Sequence, residues 1–375
     1  WKVSALGFGC MRFPVVDDDS SRIDEPEATK MLHYAIDHGV NYLDTAYPYH
    51  GGNSEQFLGR ALRGGYRQKV RLATKQPCWL IEVPTDFDRY LNEQLRKLQT
   101  DHIDFYLLHA LSRDKWHKVR DVGVLPWAEK AIADGRIGHL GFSFHDEYDA
   151  FKEIVDAYAK WTFCQIQHNY VDIEHQAGTK GLEYAASKGL AVVIMEPLLG
   201  GGLADPPDSI AKLWKSAPTK RTPVDWALQW LWNKPEVSVV LSGMSTMQQV
   251  RENVASAGAS GINTLSEEEL APFSTAREAY DRLRPIACTG CEYCLPCPNG
   301  INIPYLFGLF NRGRMYNLLK WARWAYGEVP EEKRANACET CRQCEEVCPQ
   351  QLPISEWMLR VHEVLGEKKP YQAPD

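Results

Sequence analysis

With 375 residues, 44% of them hydrophobic and 24% charged, the chain can bury a full core and hold more than one domain. A formal net charge of −7 argues against a nucleic-acid-binding surface, and no apolar run approaches the length that crosses a bilayer. The sequence opens at Trp1 without an initiator Met, so part of the true N-terminus is expected to be missing.

From Val3 to about Ala257 short apolar runs alternate with helical patterns. The runs are Val3 to Met11, Val40 to Ala46, Val70 to Lys75, Asp104 to His109, Ile137 to Ser143, Phe163 to His168, Ala191 to Glu196 and Val237 to Ser242. They lack polar and apolar alternation, as expected for parallel strands covered on both faces. Helical patterns between them include Glu27 to His38, Ser54 to Arg63, Phe87 to Leu98, Asp146 to Ala159 and Gly181 to Lys188, with Gly39 and Gly189 placed as C-terminal caps. Eight such alternations predict an α/β fold, a closed (β/α)8 TIM barrel. No G-x-G-x-x-G follows an early strand, which counts against an open dinucleotide-binding sheet. The long Gly- and Pro-rich connection from Pro197 to Lys220 is expected to be a loop, acting as a lid or clamp. A Ser-capped, acidic helix start at Ser266 to Glu269 runs on to about Leu283, and Pro285 marks a boundary between domains 1–285 and 286–375.

Three successive runs end in ionisable groups: Asp44, Lys75 and His109, with Tyr49 five residues beyond the first. Each has a plain structural use taken alone, since an Asp often caps a loop and a Tyr often packs. Charged groups are costly to bury unpaired, so three in a row at strand ends point to a shared site at the carboxyl end of the barrel.

Through these four residues and their spacing the chain resembles the aldo-keto reductases over about its first three quarters. The resemblance implies an oxidoreductase that interconverts a carbonyl and an alcohol by hydride transfer from NADP(H) or NAD(H). Tyr49 would be the general acid, Lys75 with Asp44 would lower its pKa, and His109 would orient the carbonyl or relay a proton. It further implies that Ser143 and Gln165 hold the nicotinamide amide, that Met195 covers the ring face, and that Gly243, Ser245, Gln249 and Asn253 belong to the segment holding the adenosine phosphate. The family's usual Asn after Ser143 is here Phe144, which removes one amide contact. Gln249 stands where an Arg often takes the 2′-phosphate, and Arg251 sits at another helical angle. Tyr47, Trp79 and the loop after Leu198 are candidates to line the substrate pocket.

Eight of the eleven cysteines lie after residue 285, while Cys10, Cys78 and Cys164 read as small buried apolar side chains. Clustered thiols in a chain this long point to metal in a reducing compartment such as the cytoplasm. Cys288, Cys291, Cys294 and Cys297 form one run, and Cys338, Cys341, Cys344 and Cys348 a second, each followed by Pro. Structural zinc is the alternative, but zinc sites use two separated pairs. The runs resemble those of two-cluster ferredoxins, which implies two [4Fe-4S] clusters. The fourth Cys of each run would then ligate the other cluster: Cys348 with Cys288, Cys291 and Cys294, and Cys297 with Cys338, Cys341 and Cys344. A helical stretch from Ile303 to Tyr326 separates the runs, and its Trp321 and Trp324 would line an electron path or shield the clusters from water.

Two functions follow. The first is an NAD(P)-dependent oxidoreductase acting on a small carbonyl or alcohol, its clusters structural or serving a redox partner such as a ferredoxin or flavoprotein. The second is a non-catalytic, nucleotide-sensing scaffold that passes electrons between partners.

Overall fold

The computed structural model describes residues 2–371. Eight parallel strands close into a barrel in sequence order: β1 (Leu6–Gly9), β2 (Tyr42–Asp44), β3 (Arg71–Gln76), β4 (Ile103–Leu111), β5 (Ile137–Phe144), β6 (Phe163–Gln167), β7 (Ala191–Met195) and β8 (Val237–Gly243). All eight coincide with the apolar runs of the sequence. Inward side chains including Tyr42, Phe105, Leu107, Phe163, Val193 and Leu241 fill the interior, so the barrel is a packed core with no pore. The register sets Gly9 beside Asp44 and Lys75 beside Leu107, which brings the ionisable strand ends to one rim.

Helices pack on the outside of the barrel, among them Thr85–Leu98 on β3 and Val124–Ala133 on β5. The helix Thr85–Leu98 buries Phe87, Tyr90, Leu91 and Leu98, and Gln99 in the left-handed conformation ends it. It meets the helix Ser54–Ala61 at Gly59, where an added Cβ would fall 2.3 Å from the Lys97 carbonyl oxygen. Gly59→Ala is therefore expected to push these two helices apart and cost about 1–3 kcal/mol, read as a lower midpoint in urea unfolding.

The chain divides into two compact units, Trp1–Gly200 with Val224–Ser266, and Gly201–Pro223 with Glu267–Asp375. The connection expected to be a loop carries the helix Asp208–Ser216. This corrects the reading of Pro197 to Lys220: flanking Gly and Pro hid a nine-residue helix whose Ile210 and Trp214 are buried. Within the second unit Trp214 packs on Phe273 with ring centroids 5.1 Å apart, and Thr219 donates to Glu269 at 2.7 Å. Its core gathers Ile286, Phe307, Phe310, Ala322, Tyr326, Met358 and Val361. Asn311, buried, both accepts from Ile286 N–H at 3.0 Å and donates to Ile286 C=O at 2.8 Å, fixing the chain as it enters the cysteine segment. The expected helical stretch is two helices, Ile303–Met315 and Leu319–Gly327. No helix among the described residues is long and apolar enough to cross a membrane.

Candidate active site and thiol cavities

The strand ends converge as their order in sequence implies. Lys75, fully buried on β3, places its Nζ 2.7 Å from Asp44 Oδ1, 2.8 Å from the Thr45 carbonyl and 3.2 Å from the Tyr49 hydroxyl. Three acceptors thus use the three ammonium hydrogens, and they fix the charge in one position. The backbone of Lys75 is held from behind. Gln94 Nε2 donates to its carbonyl at 3.0 Å and to Glu55 Oε1 at 2.6 Å, while Thr74 donates to the same carboxylate at 2.7 Å.

Tyr49 begins a tight turn, Tyr49–Gly52, in which His50, Gly51 and Gly52 all have positive φ. His50 pins the turn. Its Nδ1 lies 2.7 Å from Ser20 C=O, and its Nε2 accepts from Phe13 N–H at 3.3 Å. His109 closes the group with its ring 6.2 Å from that of Tyr49, edge to face, and the Trp79 ring lies 5.2 Å from that of His109. Tyr47 turns away; it packs on Tyr90 and lies under Lys97 Nζ.

Electrostatics at the site differ in one respect from the sequence expectation. Burial raises the Tyr49 phenol above its ordinary value, and the Lys75 charge offsets this only in part. Burial likewise raises Asp44 against the pull of Lys75. Lys75 is held above its ordinary value because Asp44 and Tyr49 outweigh its own desolvation. His109 is pushed well below the ordinary imidazole range by burial and then by the charges of Lys75, His145 and Lys115, so it is neutral at pH 7. Cys10, missed in the sequence as a site residue, is buried against the same group: its N–H donates to Asp44 C=O at 2.8 Å, and its thiol feels Asp44 and Lys75.

Of the residues that the resemblance assigns to nucleotide binding, Ser143, Gln165, Met195 and Gly243 lie toward the ends of β5 to β8, Ser245 just beyond β8, and Gln249 and Asn253 in the helix Met247–Gly258. Ser143 Oγ accepts from Ala110 N–H at 2.7 Å. Gln165 donates to Met195 Sδ at 3.7 Å, and its buried Oε1 has no partner among the described residues. An orphan amide acceptor at this depth suits a carboxamide donor such as nicotinamide. Phe144 is buried against Phe151 at 5.1 Å, so the position where the family has Asn serves packing here. Ser245 N–H donates to Gln249 Oε1 at 2.7 Å, and Ser245 Oγ donates to Arg12 C=O at 2.9 Å. Gly243 leaves room for Arg12, whose Cδ lies 3.0 Å from where a Cβ would be. Asn253 is buried and donates to Ser242 Oγ at 3.0 Å, and Arg251 faces the ring of Tyr34 at 5.7 Å.

The two cysteine runs fold as a repeat. Gly290 and Glu292 in the first, and Thr340 and Arg342 in the second, have positive φ at matching offsets, two and four residues after the leading Cys. Gly300 and Gln351 repeat the feature three residues beyond Cys297 and Cys348, and helices start at Ile303 and Ile354. Holding four non-glycine residues, Glu292, Thr340, Arg342 and Gln351, in this conformation costs roughly 1–3 kcal/mol each, which marks the loops as shaped for what they enclose. Cys288, Cys291, Cys294 and Cys348 line a cavity of about 20 Å³ with Ile303, Phe307, Leu352 and Ile354. Cys297, Cys338, Cys341 and Cys344, with Cys294 at the edge, line a second of about 380 Å³. The Gly290 N–H points at Cys288 Sγ, 3.5 Å away. Among the described residues no three or more His, Cys, Asp or Glu converge as they would on a single metal ion; the thiols surround spaces. Trp321 and Trp324 are 38% and 63% exposed and line neither thiol cavity. Cys10, Cys78 and Cys164 are buried as expected.

Comparison with known proteins agrees with this geometry. Residues 5–274 match the model of the aldo/keto reductase family, and residues 287–352 that of a 4Fe-4S dicluster domain. An uncharacterized oxidoreductase, YrpG, of Bacillus subtilis is 29% identical over 300 residues, covering 68% of this chain and 87% of that protein. L-galactose dehydrogenase of Arabidopsis thaliana is 29% identical over 283 residues, covering 68% and 84%. Among solved structures, the holo form of aldo-keto reductase AKR11C1 from Bacillus halodurans superposes with a TM-score of 0.60 at 28% identity, covering 73% of this chain and 92% of that one. An aldo-keto reductase from Klebsiella pneumoniae in complex with NADPH gives 0.58 at 25% identity, covering 73% and 90%. A closed eight-stranded barrel with these ionisable groups at one rim, matched by the family model over most of its length, means that this chain is an oxidoreductase belonging to the aldo/keto reductase family.

Proposed function

We propose that the barrel interconverts a carbonyl compound and its alcohol, with Tyr49 giving the proton in reduction and removing it in oxidation. The observation that carries this reading is the 3.2 Å approach of the Lys75 ammonium to the Tyr49 hydroxyl while Asp44 holds that ammonium at 2.7 Å. Bound NADPH or NADH supplies the hydride. Lys75 stabilises the phenolate left when the proton has gone, Asp44 keeps the lysine charged and in place, and neutral His109 donates to the carbonyl oxygen. Ser143, Gln165 and Met195 hold the nicotinamide end, and Gly243, Ser245 and Gln249 the adenosine phosphate. Asn253 acts behind them by tying Ser242. NADP(H) is favoured by the NADPH of the Klebsiella pneumoniae relative. Replacing Gln165 by Leu removes the orphan acceptor, and NADPH is expected to bind about tenfold more weakly by fluorescence titration.

The raised Tyr49 pKa gives a pH dependence with a definite sign. A phenol lifted above about 10 stays protonated throughout the neutral range, so reduction should be flat from pH 6 to 9. Alcohol oxidation needs the phenolate and should rise with pH over the same range. A reduction rate that fell steadily from pH 6 would contradict the assignment.

By the sequence boundary the reductase domain is residues 1–285 and the cluster domain 286–375, while the helix Glu267–Arg282 and the segment Gly201–Pro223 are compact with the latter. In the cluster domain Cys288, Cys291, Cys294 and Cys348 hold one [4Fe-4S] cluster, and Cys297, Cys338, Cys341 and Cys344 the other, each a one-electron carrier in a reducing, cytoplasmic setting. The presence of Cys348 in the smaller cavity and of Cys297 in the larger supports this pairing, with Cys294 lining both. Anaerobic purification and assay of a carbonyl panel with NADPH and NADH tests the enzyme reading. No turnover with any carbonyl, together with cluster reduction by a ferredoxin or flavoprotein, would favour the electron-transfer scaffold.

A further inference from the structure

Beyond His109, β4 continues to Leu111 through an irregularity in its pairing with β5, and Ala110 there has φ of 53°. A non-glycine residue in this conformation is strained, and such strain beside a candidate active site marks a place where the backbone has been re-aimed. The re-aimed Ala110 N–H donates to Ser143 Oγ at 2.7 Å, and its carbonyl accepts from Lys115 Nζ at 3.0 Å. His145 N–H donates to Leu111 C=O at 2.9 Å, which pins the end of β5 along the lengthened strand.

Lys115 lies in the first turn of the helix Arg113–Val122, capped by Ser112. Its ammonium folds back over the rim to the residue next to His109. The side chain is half-buried, a single carbonyl meets one of its three hydrogens, and no carboxylate pairs with it among the described residues. The nearby acids are engaged elsewhere: Asp146 accepts from Arg113 N–H and Glu82 pairs with Lys118. The Lys115 charge is felt by His109, His145 and Cys78, and the side chains around His145 include His175 and Gln176. Desolvation and then Lys115 hold His145 down to about 4, against a hydrogen bond with Gln176 that raises it, so at neutral pH the ring is uncharged. A half-buried cation without a counter-ion is costly, and an arriving anion relieves that cost.

Resting on the reading of Tyr49 and His109 given above, we infer that Lys115, with His145 beside it, receives a carboxylate carried by the substrate, so that the enzyme prefers carbonyl acids to neutral carbonyl compounds. The amine at this rim thereby selects the substrate, while the tetrad performs proton transfer.

The test compares 3- and 4-carboxybenzaldehyde with benzaldehyde as substrates of the full chain, and measures benzoate and benzyl alcohol binding by calorimetry. At least one acid is expected to exceed benzaldehyde at least tenfold in kcat/KM. Lys115→Met should erase that ratio and weaken benzoate binding at least tenfold, and Lys115→Arg should restore most of both. Equal kcat/KM for acid and neutral aldehydes, or a Lys115→Met enzyme that loses both to the same degree, overturns the inference. If no aldehyde turns over, the catalytic reading fails by itself. Benzoate binding lost in Lys115→Met then still supports the anion site, and binding unchanged in that variant overturns it.

Discussion

Tyr49→Phe is expected to lower kcat/KM for carbonyl reduction by about 10²–10⁴-fold while NADPH binding stays within about twofold. The substitution deletes one oxygen atom and leaves the ring. The edge-to-face contact with His109 and the cation over the ring, with Lys75 Nζ 4.8 Å from the centroid, both survive it. What is lost is the one hydroxyl among the described residues that the ammonium contacts, and His109 beside it is held neutral. Steady-state rates and a fluorescence titration with NADPH, run on the same preparation, separate the two effects. Lost nucleotide binding with retained turnover would reject the assignment.

Cys348→Ala and Cys297→Ala are expected each to remove about half of the iron and sulfide of the anaerobically purified chain, and from different sites. Cys348 lines the cavity of Cys288, Cys291 and Cys294, whereas Cys297 lines that of Cys338, Cys341 and Cys344. Cys348→Ala should therefore leave the same site intact as Cys288→Ala does, and Cys297→Ala the same site as Cys338→Ala. Electron paramagnetic resonance of the reduced variants reads which site survives. A spectrum in which Cys348→Ala matches Cys338→Ala would mean that each run holds its own cluster.

The barrel was legible because parallel strands buried on both faces write themselves as apolar runs. The ionisable ends of β2, β3 and β4 then fell at one rim by topology alone. The helix Asp208–Ser216 was not legible, because Gly and Pro dominate its flanks and its buried face rests on only Ile210 and Trp214. Asp44, Lys75 and Tyr49 could be named from spacing, but the direction of the Tyr49 pKa could not, since it depends on how completely the phenol is enclosed. Phe144 read as a missing contact, and only packing on Phe151 gives its present use. Lys115 carried no signal at all. A lysine in the first turn of a helix is ordinary until an irregular strand end turns a carbonyl toward it.

Each thiol-lined hollow takes its lining from both halves of the repeat, so neither half encloses one by itself. The hollow of Cys288, Cys291 and Cys294 takes its fourth thiol from Cys348, in the second half. A fragment holding one half of the repeat is therefore expected to lack a complete four-thiol lining.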